Sequence, residues 1–195
     1  MKEVAHKELL LLTEEPDRNF AHAAVRCRTA TPGSKERAEA FTLSCTLAVS
    51  QLHGNTLVSL AKSPGELVQA KTVWEELTTI ELEHAAQLDT PEASLGVAKL
   101  SPCGELKKRS LRQAFEQCRD LEDYAPVWVA CRQAGYEALA ASIYQVWRDI
   151  AGDILEAIAA SRQFDQAIRV RNLVHSDMPE YQTARKLCAE LDIDR

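Results

Sequence analysis

Glycine and proline are scarce in this chain, seven of each among 195 residues, and the glycines never cluster. That excludes the glycine-rich loops that cradle phosphates in nucleotide-binding proteins. Aromatic residues make up only 6%. Alternating β-branched runs closed by hairpin turns are missing, which removes the pattern of a sheet protein. No apolar run approaches the roughly 20 residues of a membrane-spanning helix. Neither a Gly-x-Ser-x-Gly elbow nor a kinase-type motif occurs, and there is no Cys-x-x-Cys pair. Basic residues are outnumbered 23 to 29, giving a net charge of −6, whereas nucleic-acid binders ordinarily carry a basic excess. The start of the chain, with Glu3, His6 and Glu8 close behind Met1, lacks the basic and then long apolar character of a secretion signal. A soluble cytoplasmic chain without a membrane partner is the expectation.

What is present is helical periodicity. Apolar residues reach 46%, enough for a core and too many for a disordered chain. They recur at intervals of three and four residues. One stripe runs Leu67, Ala70, Val73, Trp74, Leu77, Ile80, His84 and Leu88; another runs Tyr136, Leu139, Ala140, Ile143, Trp147 and Ile150. Shorter stripes are Phe20–Cys27, Ala38–Leu52, Leu111–Leu121, Val127–Ala134 and Ala184–Leu191. Thr31-Pro32, Ser63-Pro64, Thr90-Pro91 and Ser101-Pro102 each pair a hydroxyl with proline. The hydroxyl can cap a free amide and proline tolerates the first turn, so each pair reads as a helix start. Pro16, Pro126 and Pro179 also stand just ahead of helix-like stretches. The spacing predicts an all-α protein of roughly eight to ten helices joined by short loops. One domain over 1–195 is expected; the most broken stretch, 89–105, reads as a loop within it, with a hinge there as the alternative.

Five of the six cysteines, Cys27, Cys45, Cys118, Cys131 and Cys188, fall on apolar stripes, where a free thiol behaves as a small buried hydrophobe. Cys103 sits instead in the Pro102–Gly104 turn, near an expected helix start that could stabilise its thiolate. No histidine partner accompanies it. Two Glu-x-x-His sets, Glu3/His6 and Glu81/His84, would each put both groups on one helical face, as carboxylate-bridged di-metal bundles require. Two further helices with inward glutamates cannot be picked out, and His84 extends an apolar stripe, where a hydrogen-bonded core histidine is expected. No metal, cofactor or catalytic residue is therefore assigned, and a helical-bundle metalloenzyme using Glu81 and His84 stands as the alternative function.

The chain also shows weak self-similarity. Arg18-Asn19-Phe20-Ala21-His22-Ala23 near the start matches Arg162-Gln163-Phe164-Asp165-Gln166-Ala167 near the end, and Gly135-Tyr136-Glu137-Ala138 is a shorter variant. An aromatic plug after a turn, followed by an alanine that permits close approach, makes a helical hairpin. This resembles the tetratricopeptide-repeat family, whose units carry a Gly-x-Tyr/Phe-x-x-Ala turn. The glycine is replaced by Arg18 and Arg162, and 65–123 carries no clear unit. The resemblance implies stacked antiparallel helical hairpins, with an irregular helical bundle as the alternative. It also implies a concave face that holds a peptide or helix of another protein, as cytosolic adaptors and chaperones do.

Two surfaces suit such a partner. Trp128 and Tyr144 lie off the stripes of their helices, and such aromatics dominate interface hot spots. Lys107, Lys108, Arg109 and Arg112 give one helix a basic side that would suit an acidic partner segment, with Arg119 further along and a smaller set at Arg162, Arg169 and Arg171. A solvated helix face is the plainer reading of these charges. No aromatic platform is interleaved among them, which weighs against a nucleic-acid regulator. The expectation is a non-enzymatic interaction module that could self-associate.

Overall fold

A side-chain oxygen placed just ahead of a helical run accepts a hydrogen bond from an amide that has no carbonyl partner. In the computed structural model, which describes residues 19–193, this chemistry opens helix after helix. Among the described residues there are ten helices and no strand. They are α1 Phe20–Thr29, α2 Lys35–Leu47, α3 Gln51–Leu60, α4 Pro64–Leu88, α5 Pro91–Leu100, α6 Gly104–Gln117, α7 Leu121–Gln133, α8 Glu137–Ser161, α9 Gln166–Leu173 and α10 Pro179–Ile193. Asn19 Oδ1 accepts from the Ala21 amide at 2.8 Å and Ser34 Oγ from the Arg37 amide at 3.1 Å. At α4, Ser63 and Glu66 cap reciprocally, each side chain accepting from the other's amide at 3.2 Å.

Ser63-Pro64 and Thr90-Pro91 open α4 and α5, and Pro179 opens α10, as their chemistry predicts. The other two hydroxyl–proline pairs do not start helices. Thr31-Pro32 leads into a turn through Gly33, whose φ of 80° needs a residue without Cβ, and Ser34 becomes the cap. Ser101 Oγ donates backwards to the Val97 carbonyl at 2.9 Å, closing α5 instead of opening α6. Cys103 takes the cap position, its carbonyl accepting from the Lys107 amide at 3.1 Å. Pro126 lies inside α7, not ahead of it. It occupies the exposed side of the second turn, where the only loss is a single amide bond toward Glu122.

The long helix α4 is present, but its buried face is rotated from the expected stripe. Ala70, Thr78, Leu82 and Ala85 are buried, whereas Ile80, His84 and Leu88 are exposed. Thr78 can lie inside because its hydroxyl donates to the Trp74 carbonyl at 2.7 Å and leaves only its methyl group to pack. His84 is thus not a core histidine. The Ala38–Leu52 stripe likewise breaks between α2 and α3: Ala38, Val49 and Leu52 are exposed, and α2 buries Arg37 and Ser44 beside Ala40 and Phe41. Ser44 Oγ donates to the Ala40 carbonyl at 2.8 Å, which makes its burial tolerable.

The chain divides into two units, one of residues 19–87 with Val97–Lys107 and one of Leu88–Gly96 with residues 108–193. The stretch 89–105, read as a loop from the sequence, is mostly the helix α5, Pro91–Leu100. The first unit is built on Ala24, Cys27, Ala40, Phe41, Leu57, Leu60 and Ala70, from α1 to α4. Here α3 and α4 approach so closely at Gly54 that a Cβ would stand 2.7 Å from the Trp74 Cα. In the second unit α8 buries Ala140, Ile143, Trp147, Ala151, Leu155 and Ile158, at steps of three and four. Helix α8 contacts α7, α9 and α10. A buried polar group, Ser94 Oγ between Gln117 Oε1 at 2.6 Å and Gln113 Nε2 at 2.9 Å, joins α5 to α6 in this unit.

Two turns of the second unit share one closure. After α7 the Tyr136 amide donates to the Cys131 carbonyl and the Gly135 amide to Arg132, at 3.0 and 3.1 Å. After α8 the Gln163 amide donates to Ile158 and the Arg162 amide to Ala159, at 3.2 and 3.4 Å. This pairing requires a left-handed residue. Gly135 supplies it at φ 76°, and Arg162 adopts it at φ 57° despite its side chain. Arg162→Gly is therefore expected to stabilise the chain by about 0.5–1 kcal/mol, read as a higher midpoint in urea at an unchanged slope.

Candidate functional site

Trp128 and Tyr144, singled out because they leave their helices' apolar stripes, meet in the second unit. Both are half-buried and line one groove of about 800 Å³ formed by α7, α8 and the turn between α9 and α10. The tight turn at Gly135 folds α8 back on α7 and brings the two rings to 6.1 Å between centroids, tilted by 40°. The Trp147 ring, buried in the same unit, has its centroid 6.1 Å from that of Trp128. Its indole N–H is buried with no hydrogen-bond partner.

His175 completes the aromatic wall, edge-on to Trp128 at 5.1 Å. It is placed by its turn: its carbonyl accepts from the Met178 amide at 3.0 Å, Met178 is fully buried, and its Nδ1 accepts from the Asp177 amide at 3.3 Å. Sequence reasoning missed His175, because a lone histidine between two short helices carries no periodic signal. The charged rim consists of Arg132, Glu137 and Asp177. The Arg132 guanidinium lies 5.8 Å from the Trp128 ring centre and 3.5 Å from the Glu137 carboxylate. Arg132 can thus stack on the indole while holding its ion pair. The result is an open trough with an apolar wall and both charge signs at its edge. It presents apolar area together with hydrogen-bond donors and acceptors.

The basic residues of α6 are not part of it. Lys107 is half-buried, Lys108, Arg109 and Arg112 are exposed, and none of the four lines the groove. Arg119 pairs with Asp89 at 3.3 Å, and Arg169 with Glu122 at 3.6 Å. Glu81 is half-buried and His84 exposed, and no group of three His, Cys, Asp or Glu side chains converges among the described residues. Glu3 and His6 lie outside the described residues. Cys27, Cys118 and Cys131 are buried, and Cys45, Cys103 and Cys188 half-buried; all are free thiols. Burial pushes the Cys45 and Cys131 thiols up to about 11 and that of Cys118 to about 12. At neutral pH these three stay protonated and act as packing groups.

A second concavity, of about 290 Å³, has a different character. Arg37 in its wall is only 3% exposed. Its guanidinium forks onto the Glu66 carboxylate at 3.0 and 3.1 Å and donates to the Cys27 and Leu60 carbonyls at 2.6 and 2.7 Å. The backbone amides of Lys62 and Ser63 add donors to Glu66 at 2.6 and 3.2 Å. Burial alone would raise the Glu66 carboxyl. The hydrogen bonds from Arg37 and the two amides outweigh it and hold the group below its ordinary range. With its donors satisfied, Arg37 fastens the ends of α1 and α3 to the start of α4 and has little left for a ligand. No protein-family model, curated protein or solved structure matches this chain.

Proposed function

We propose that this protein is a non-enzymatic interaction module, an adaptor or chaperone that holds a peptide or helix of a partner protein in the groove of its second unit. The observation that carries this reading is the convergence of Trp128, Tyr144 and His175 on one open trough of about 800 Å³. Half-buried aromatics on rigid helices give contact area at low entropic cost, which is why they dominate interface energetics. Stacked antiparallel hairpins of the tetratricopeptide type are the architecture we infer for α7 to α10. The shared turn closure supports it, with Tyr136 or Phe164 following and Ala167 fully buried at the expected alanine position. Arg162 takes the backbone conformation of the glycine it replaces.

The basic face of α6 serves in this reading as a long-range attractor for an acidic partner segment, not as the seat of affinity. The test is selection of peptides from a random display library against the whole chain, followed by titration calorimetry. Selected peptides are expected to lose tenfold or more in affinity with Trp128→Ala, by the roughly 2 kcal/mol of a hot-spot aromatic, and to weaken with Tyr144→Ala. Replacing Lys108, Arg109 and Arg112 with alanine should alter the salt dependence and change affinity only a few-fold. Unchanged affinity in Trp128→Ala overturns the assignment of the groove.

A further inference from the structure

The rotation of α4 relative to the expected stripe leaves an edge of the helix that is exposed along part of its length. Val73, Leu77, Ile80 and His84 follow one another at steps of four, three and four residues, the spacing of a helix–helix seam. This seam runs beside the buried face of Ala70, Thr78, Leu82 and Ala85 and emerges progressively from it. Val73 packs partly against the core of the first unit, Leu77 is half-buried, and Ile80 is 61% exposed. Such an apolar seam on a regular helix matches the anchors by which amphipathic helices dock.

The charge around the seam identifies what would cover it. Glu76 and Glu83, seven residues apart, edge one side; Glu81 edges the other. Glu76 and Glu83 are exposed, and none of the three has an ion-pair partner among the described residues. No lysine or arginine occurs between Lys71 and Lys99. A second copy of this chain pairing through the same edge would set glutamate against glutamate, a like-charge juxtaposition that helix pairs avoid. We infer that the Val73–His84 edge of α4 is a docking surface for an amphipathic helix of a partner protein whose apolar seam is flanked by lysine or arginine. This surface stands on α4 alone and is independent of the groove around Trp128.

The test uses two fluorescein-labelled peptides of three heptads with leucine at the seam positions, one with lysine and the other with glutamate at the flanking positions. Anisotropy titrations are run with the full chain at about physiological salt. The lysine peptide is expected to bind and the glutamate peptide to bind at least tenfold more weakly. Ile80→Ser should weaken the lysine peptide about tenfold with an unchanged helical circular dichroism spectrum, since Ile80 is mostly exposed. Glu76→Lys with Glu83→Lys should reverse the preference between the peptides, while Trp128→Ala should leave both titrations unchanged. Binding that survives Ile80→Ser would reduce the effect to general attraction by a negative chain and overturn the inference. So would an unreversed preference, a response to Trp128→Ala, or a concentration-dependent dimer that Ile80→Ser abolishes in sedimentation.

Discussion

Replacing Arg37 with alanine is expected to cost about 3–5 kcal/mol, the loss seen when one partner of a buried ion pair is removed. The midpoint of thermal unfolding should fall by about 10 °C or more. The substitution leaves the Glu66 carboxylate in a largely enclosed site without its guanidinium, and strips the Cys27 and Leu60 carbonyls of their shared donor. Arg37→Met should cost nearly as much, because the stem is replaced and the charge is not. A double variant, Arg37→Met with Glu66→Leu, should recover much of the loss, since an apolar pair can replace a buried ion pair. The pH dependence follows from the lowered Glu66 carboxyl. Its contribution is fully present above the ordinary carboxylate range near about 4.3 and is lost as pH falls through the still lower value in the folded chain. The stability gap between the natural chain and Glu66→Gln, measured by urea unfolding, should therefore narrow steadily below about pH 4. A gap that widened on acidification would contradict the account.

Trp147→Ala is expected to cost a similar amount, about 3–5 kcal/mol for a buried tryptophan, and in this case the damage falls on the second unit. Trp147 is 2% exposed and lies 6.1 Å from the Trp128 ring. Removing it opens a cavity behind the groove and frees Trp128 to move, so peptide affinity should fall together with stability. Trp147→Phe is the control. It keeps an aromatic ring and deletes an N–H that has no partner, so part of the lost packing is offset by the relieved desolvation cost of about 1–3 kcal/mol. A loss clearly smaller than that of the alanine variant is expected, because less volume is removed. Equal losses for the alanine and phenylalanine variants would contradict the packing role given to the ring.

The all-helical class was legible because its evidence is local. Stripes at three- and four-residue spacing marked α1, α6 and α8, the Ser63-Pro64-Gly65-Glu66 sequence marked the start of α4, and five cysteines fell on stripes. What could not be read depended on partners distant in sequence. Arg37 is buried because Glu66, 29 positions away, and two carbonyls meet it; a lone arginine gives no such sign. The phase of α4 departs from its apolar stripe because a threonine that bonds its own helix packs inside, while the isoleucine and histidine that continue the stripe face solvent. Thr31-Pro32 and Ser101-Pro102 misled because the same hydroxyl can close a helix or sit in a turn as readily as cap one.

Trp128 and Tyr144 were identifiable as residues outside the apolar stripes, yet their meeting depends on the Gly135 turn, and the third aromatic, His175, arrives from a loop. The basic residues of α6 gave the louder sequence signal and line no part of the groove.

The groove claim is tested most directly by the three tryptophan indole N–H resonances in a ¹⁵N-labelled sample titrated with a library-selected peptide. The account predicts that the Trp128 signal moves and saturates with the peptide while that of Trp74, in the first unit, stays in place. A bound peptide that leaves the Trp128 resonance unmoved would contradict it.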